Sequence, residues 1–524
     1  MIRALAALSL LILLVRPAQC HVGTLRVDEN EKEAEQLAKE AFGTVLSTLL
    51  VGPEKFNNDL DRKLQIQYVP CNTVIQTLTA DEIRTMVMAL MQEQTNLPEA
   101  AIFTLDNVVL GRLKYDVQLW KVCGRCSDFE DDSLYPKDIA CRPQDYGYNA
   151  MHSGLLVAPY DAVNDRLIPR TLPVNIVPAT AVEPPSETSI PIREHPALLG
   201  ALVTSVTRAY SLLPDHIGRA ESSEYYRAFL IKQSVITSVV PLIWQSEKLV
   251  AEQSDCTSAM ANAYSLAGYS QGGYAVIAIA DVLQRMGKHV MAVSAGGAPY
   301  QLSSETLTYF VRTVNSGRPA ITFFITLVAA GLSSTTTDAL NYGTGQDFLA
   351  SDQRDEFVAR VQTVGLDRDP INELIPYNDP LSIYNEHLIA MVEGAISRGE
   401  SHPCVTSVNN QTDKICLALQ DLDLLEELDR AEYPIQLCHS IEDENIPFSN
   451  IPPDITTRNP NIRVKTVSGS HWEATMPCVI DSIFYAVNPF NLKWYRAEGR
   501  TFEGGCEAGT PKNCNVWRRL FIGC

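Results

Sequence analysis

Basic residues are scarce in this chain: 42 Lys and Arg stand against 62 Asp and Glu, a formal net charge of -20 over 524 residues. So acidic a balance speaks against nucleic acid or anionic lipid headgroups as main partners, because both would repel it. Long hydrophobic runs are missing too. The apolar stretch inside residues 1–20 and the run "PAITFFITLVAAGL" (319–332) both fall short of the roughly 20 apolar residues that cross a bilayer. That argues against a transmembrane anchor. Internal repeats and low-complexity linkers are absent as well.

What is present is ordinary globular material, 46% hydrophobic and 20% charged, enough to bury a sizeable core. Residues 1–20, "MIRALAALSLLILLVRPAQC", have an early arginine, a short apolar middle and small residues before Cys20, the layout of a cleaved secretory signal. If Cys20 leaves with it, twelve of the 13 cysteines remain, an even set that reads as disulfides in an oxidising compartment. The local pair expected from spacing is Cys404 with Cys416. Asn410 in "NQT" lies between them and is the single N-glycosylation sequon found, which predicts a surface loop there.

Residues 21–112 read as helical, and "TLTADEIRTMVMALMQEQ" opens with Thr79 as N-cap and Glu82 three residues on. From about residue 113 the texture changes. Strand patterns at 114–122, 153–159, 170–178, 210–215, 263–270 and 289–297 alternate with helical ones at 196–209, 225–249 and 273–286. Such alternation predicts an α/β fold with a parallel sheet and helices on both faces. Residues 300–429 interrupt it with helical patterns; strands resume at 433–440 and 462–469, and a closing helix is expected at about 476–486.

The chemistry concentrates at "SLAGYSQGGYAV" (265–276). Gly268-Tyr269-Ser270-Gln271-Gly272 is G-x-S-x-G between a strand and a helix, the setting of a nucleophile on a tight turn. A serine needs a base, and the base a carboxylate to orient it, in chain order serine, acid, histidine. Five histidines follow Ser270. His289 opens a strand at the wrong end of the sheet, His387 and His402 lie in the inserted segment, and His439 precedes any acid that could follow it. His471, in the loop after the last strand, fits. The acid follows the preceding strand in "HSIEDENIP": Asp443 is favoured, with Glu442, Glu444 and Asp454 as alternatives. An oxyanion hole needs two backbone N–H groups. One is expected from Gln271; the other, from "VPATAVEPP", is assigned to Ala179 or Thr180.

The segments "SGLLVAP", "LLPDHIGRAES", "LAGYSQGG", "SAGGAPYQL", "HSIEDENIP" and "SGSHWE" occur in that order, and over residues 113–300 and 430–487 the chain resembles the α/β-hydrolase superfamily. Within it the chain is most similar to the secreted lipase/esterase branch known from fungi. The resemblance implies a mostly parallel eight-stranded sheet, a helical cap over the site, and a triad of Ser270, Asp443 and His471. Two departures stand out: Pro178-Ala179-Thr180 replaces the family's His-Gly before the oxyanion threonine, and Ala220 replaces a second glycine after "PDHIG".

The expected organisation is a signal peptide (1–20), an N-terminal helical extension (21–112), an α/β-hydrolase core (113–299 and 430–487), a helical cap (300–429) and a cysteine-containing tail (488–524). Cys123, Cys126 and Cys141 are expected to form disulfides rather than a zinc site with His152. Residues 319–332 are expected as a buried cap helix, and Asp215 as a turn-shaping residue. The function this implies is a secreted serine hydrolase of carboxylic esters, its substrate a small-molecule or lipid ester, with no metal or organic cofactor. A peptidase or acyltransferase would use the same triad, and a silent binding module on the same fold is the competing class.

Overall fold

Among the described residues ten strands make one mixed sheet in the order β1-β2-β3-β6-β5-β7-β8-β9-β10, with β4 paired to β3. The structure is a computed structural model. It describes residues 70–86, 115–129, 137–168, 174–176, 204–205, 209–225, 228–254, 263–315, 320–335, 348–350, 379–406 and 410–486, with scattered single positions besides. The strands are β1 (Thr73–Leu78), β2 (Asp116–Gly124), β3 (His152–Asp161), β4 (Arg166–Leu167) and β5 (Val174–Ile176), then β6 (Ser211–Pro214), β7 (Ala263–Tyr269), β8 (His289–Gly296), β9 (Ile435–Ser440) and β10 (Ile462–Val467).

From β6 to β10 every pairing is parallel, while β1-β2, β2-β3, β3-β4 and β3-β6 are antiparallel. The eight-strand expectation is therefore corrected: two further strands, β1 and β4, extend the antiparallel flank. β1 also corrects the reading of residues 21–112 as helical throughout. Five of its six residues pair with β2, with an irregularity at Ile75, and Cys71 is bonded to Cys123 on β2. The helix expected after it does begin with a reciprocal cap: Thr79 Oγ1 accepts from Glu82 N–H at 3.1 Å, and Glu82 Oε2 accepts from Thr79 N–H at 2.8 Å.

Parallel neighbours need crossover connections, and helices supply them. Helix α1 (Lys232–Gln253) starts later than the expected Tyr225, after Leu230 takes a φ of 56°, a left-handed conformation that no helix continues through. Helix α2 (Gln271–Arg285) joins β7 to β8 and buries all but its last two residues. That fits strands such as "AYSLAGY", which are covered on both faces and so read as apolar runs without alternation. The insertion between β8 and β9 begins with a π-helical turn (Leu302–Thr306) and holds α3 (Leu307–Asn315), α4 (Ala320–Thr335), α5 (Glu386–Ser397), α6 (Asn410–Leu422) and α7 (Leu425–Asp429). Residues Ile325–Leu332 of α4 are buried, as expected of that apolar stretch.

The neck of the insertion is clasped shut. Leu424 N–H donates to the Tyr300 carbonyl at 3.0 Å, Ser303 N–H to Asp423 Oδ1 at 3.0 Å, and the Tyr274 hydroxyl of α2 to the Leu422 carbonyl at 2.8 Å. Lys232 of α1 reaches both the Asp423 carbonyl and Glu427, each at 2.9 Å. Cys404 and Cys416 are bonded within the insertion, and Cys126 is bonded to Cys141. Asn410, expected on a loop, is the first residue of α6. Residues 1–69, the tail from 487, and Ala179 and Thr180 lie outside the described residues, as does most of the helix expected at 196–209.

Candidate active site

The strand order reverses at the centre of the sheet. The chain leaves β5 towards β6 on one side, then returns past β5 to β7 and continues to β8 on the other. The sheet therefore has a topological switch point between β5 and β7, the place where open α/β sheets hold their ligands. Ser270 stands there, between β7 and α2.

Its backbone has φ 56° and ψ −120°, a conformation that costs free energy unless the surroundings impose it. They do. Ser270 N–H donates to the Gly296 carbonyl at 2.8 Å, and a Cβ on Gly268 would stand 2.3 Å from the Gly272 carbonyl oxygen. Glycine at 268 is thus a condition of the turn. The serine is buried, 8% exposed.

His471 Nε2 lies 3.1 Å from Ser270 Oγ, and its Nδ1 lies 2.7 Å from Asp443 Oδ2. Facing a carboxylate, Nδ1 carries the proton and donates it, which leaves Nε2 to accept from the serine hydroxyl. Asp443 follows β9 in a tight turn whose backbone it caps: Oδ1 accepts from Asn445 N–H at 2.9 Å and Ile446 N–H at 2.8 Å. The carboxylate is therefore fixed by its own loop before it meets the histidine.

The other acids considered for this role are employed elsewhere. Glu444 Oε2 accepts from the His471 backbone N–H at 2.8 Å, and Glu442 Oε2 from Gly469 N–H at 2.6 Å. Asp454 faces Arg458 at 3.7 Å. His289 opens β8, His387 is exposed on α5, His402 is exposed beside it in the insertion, and His439 lies buried inside β9.

One expectation changes. His471 is not in a loop but is the first residue of α8 (His471–Ala486), which starts five residues earlier than the sequence pattern suggested. Ser470 N–H donates to Glu473 Oε2 at 2.8 Å, and Glu473 N–H to Ser470 Oγ at 3.4 Å. The string "SHWE" is a capping box, the same signature that Thr79 and Glu82 form, and it was available in the sequence. The Ser470 N–H and hydroxyl hold the Glu473 carboxyl below the usual range.

Further ties hold the histidine from below. Tyr269 donates its hydroxyl to the His471 carbonyl at 2.6 Å, and burial pushes that phenol far up, so it stays a donor. A Cβ on Gly296 would stand 2.5 Å from the Tyr269 ring, so glycine there makes room for it. Cys438 of β9 is bonded to Cys478 of α8, joining the strand that precedes Asp443 to the helix that begins at His471. Sequence reasoning named neither Tyr269 nor this disulfide. Tyr269 could have been found as the variable position of G-x-S-x-G; the pairing of Cys438 carries no local signal.

Gln271 opens α2 directly after the serine, which puts its backbone N–H at the positive end of that helix. Among the described residues no group of three or more His, Cys, Asp or Glu is placed to hold a metal ion. No helix there is long and apolar enough to cross a membrane.

No family profile and no curated protein sequence matches this chain. Solved structures do. A provisionally assigned hydrolase from Legionella pneumophila is 15% identical, with 82% of this chain and 99% of that chain covered and a TM-score of 0.56. A ligand-bound form of LipA, a rice cell wall degrading esterase from Xanthomonas oryzae, is 17% identical, with 79% and 96% covered and a TM-score of 0.52. A mutant form of that esterase aligns equally well, at 16% identity, the same coverage and a TM-score of 0.52. At such identities the likeness speaks to fold. Together with the strand order and the turn at Ser270, it makes this an α/β-hydrolase-like fold.

Proposed function

We propose that the protein is a serine hydrolase of carboxylic esters, with Ser270 as nucleophile, His471 as general base and acid, and Asp443 as the carboxylate that orients the imidazole. The observation that carries the reading is the hydrogen-bonded line from Ser270 Oγ through the two ring nitrogens of His471 to Asp443 Oδ2, at 3.1 and 2.7 Å. Its setting on a strained strand-to-helix turn adds support.

In this reading Oγ attacks the ester carbonyl carbon while its proton passes to His471 Nε2. Asp443 stabilises the imidazolium that forms and stays ionised. The carbonyl oxygen gathers negative charge and is met by the Gln271 N–H, with a second donor assigned to Ala179 or Thr180; removing one such donor typically costs about 10²–10³ in rate. Collapse of the intermediate breaks the ester C–O bond, and His471 returns the proton to the departing alcohol. Water then enters, loses a proton to the same nitrogen, and releases the acid from Ser270. The residues complete this cycle without a cofactor.

Apolar acyl groups suit the insertion, whose helix α4 carries the largely apolar run "AITFFITLVAAGL" (320–332). Four disulfides among the described residues are consistent with passage through an oxidising secretory compartment. The signal peptide at 1–20 and glycosylation of Asn410 belong to the same proposal.

The test is turnover of p-nitrophenyl esters of graded acyl length by the wild type and by Ser270→Ala, together with fluorophosphonate labelling. Loss of turnover and of labelling in the variant is expected. Turnover that survives the substitution sinks the assignment.

A further inference from the structure

A second histidine faces the same carboxylate. His439 Nε2, from the middle of β9, lies 3.5 Å from Asp443 Oδ2 and 2.9 Å from the Ile446 carbonyl oxygen. Two oxygens in front of Nε2 place the ring proton on that nitrogen. Nδ1 is then a bare acceptor, and it is buried with no partner among the described residues. A protonated ring would carry an Nδ1–H with nothing to receive it. Burial accordingly holds His439 below the usual histidine range, against the opposing pull of Asp443, while His471 adds to the lowering.

A buried position on an inner strand usually takes an apolar side chain, as Leu437 does two residues before on the same face of β9. A histidine there leaves half its hydrogen-bonding capacity unmet, which packing alone does not explain. What the ring does contribute is geometric. Ile446 donates its N–H to Asp443 Oδ1 and receives the His439 proton on its carbonyl, so His439 grips the turn that fixes the carboxylate. The Phe448 ring stands edge-on to the imidazole, centroids 6.0 Å apart, and closes its remaining flank.

We infer that His439 is a positioning residue for the triad, its Nε2–H pinning the Ile446 peptide and the Asp443 carboxylate so that Oδ2 stays in line with His471 Nδ1. This rests on the hydrolase reading above. The groups that share this space are Asp443 and Glu444 of the acid loop, His471 of α8 and Tyr269 of β7; Asp443, Glu444 and Tyr269 each touch His471 directly.

The test uses the full chain and counts active sites by fluorophosphonate labelling, so that kcat refers to folded enzyme. His439→Gln keeps a donor near the Nε2 position; His439→Asn places its amide near Nδ1, too short to reach Ile446; His439→Leu removes the donor altogether. His439→Asn and His439→Leu are expected to lose kcat by about 10- to 100-fold, the scale of a loosened catalytic geometry. KM should stay within about twofold, because substrate binding is untouched. His439→Gln should recover to within about threefold of wild type, and His439→Asn should add little to an Asp443→Asn background, since both act through one carboxylate. Wild-type kcat in His439→Asn, a full loss in His439→Gln, or an undiminished further loss in the Asp443→Asn background would each overturn the inference. Should His439→Leu fail to fold, the asparagine and glutamine variants decide. Turnover that persists in Ser270→Ala instead overturns the hydrolase reading, whatever the His439 variants do.

Discussion

Breaking the Cys438–Cys478 disulfide should reduce stability and catalysis together, whereas breaking Cys71–Cys123 should reduce stability alone. The two bonds close loops of similar length, with sequence separations of 40 and 52. In the chain-entropy account a cross-link removes about 2.1 + 1.5R ln n cal/mol/K from the unfolded chain, which gives about 4 kcal/mol at 25 °C for either bond. Their positions differ. Cys438 lies on the strand that delivers Asp443, and Cys478 on the helix that begins at His471, both fully buried with Tyr269 and Ala474. Cys71 and Cys123 tie β1 to β2 at the far edge of the sheet. The double variant Cys438→Ala/Cys478→Ala should therefore lose about 4 kcal/mol in urea unfolding and at least about tenfold in kcat at a temperature where it remains folded, because the acid and the histidine are no longer held in one frame. Cys71→Ala/Cys123→Ala should lose similar stability and keep kcat per labelled site. Equal kcat losses in the two variants, or none in either, would refute the reasoning.

Tyr269→Phe removes the donor to the His471 carbonyl without changing shape; a stability loss of about 1 kcal/mol and a several-fold drop in kcat at constant KM are expected from denaturation and steady-state kinetics. His152 predicts a pH effect on stability. Burial lowers its pKa from 6.5 to about 4, so above pH 6.5 it is neutral in both states and contributes nothing, while between 6.5 and about 4 the unfolded chain takes up a proton that the native protein refuses. Stability should thus fall by about 3 kcal/mol as pH drops through that window, with His439 acting in the same direction, and His152→Gln should flatten the slope measured by urea unfolding at several pH values.

How much was legible in the sequence follows the range of each signal. The strands β3, β6, β7 and β8 announce themselves as short apolar runs, because burial on two faces is written into consecutive residues, while β2 and β10 show as alternation of apolar and polar residues. β1 does not. "TVIQTL" is half polar and partly exposed, and what makes it a strand is its antiparallel partner 40-odd residues on and the Cys71 bond, neither of which leaves a local mark. Disulfide pairing divides the same way: Cys404 and Cys416 are 12 residues apart and readable, whereas Cys438 and Cys478 meet only because α8 packs back across β9.

The choice among the acids after β9 shows why composition alone left the site short of complete. Glu442, Asp443 and Glu444 are adjacent and equally placed past the strand, so chain order cannot rank them. Side-chain length can. The short aspartate folds back to cap Asn445 and Ile446 of its own turn, and that self-capping leaves Oδ2 aimed at the histidine ring. The two glutamates reach one step further, to the backbone N–H groups of Gly469 and His471. Three neighbouring carboxylates would repel one another on a bare loop. Here Glu444 accepts from the first N–H of α8 and Glu442 from Gly469 just before it, at the helix end whose dipole favours negative charge, and the capping box with Glu473 adds a fourth carboxylate to the same end. The acidic string "IEDE" is thus the counterpart of the helix start "SHWE": one carboxylate orients the imidazole, and two of the others hold the backbone on which that imidazole stands.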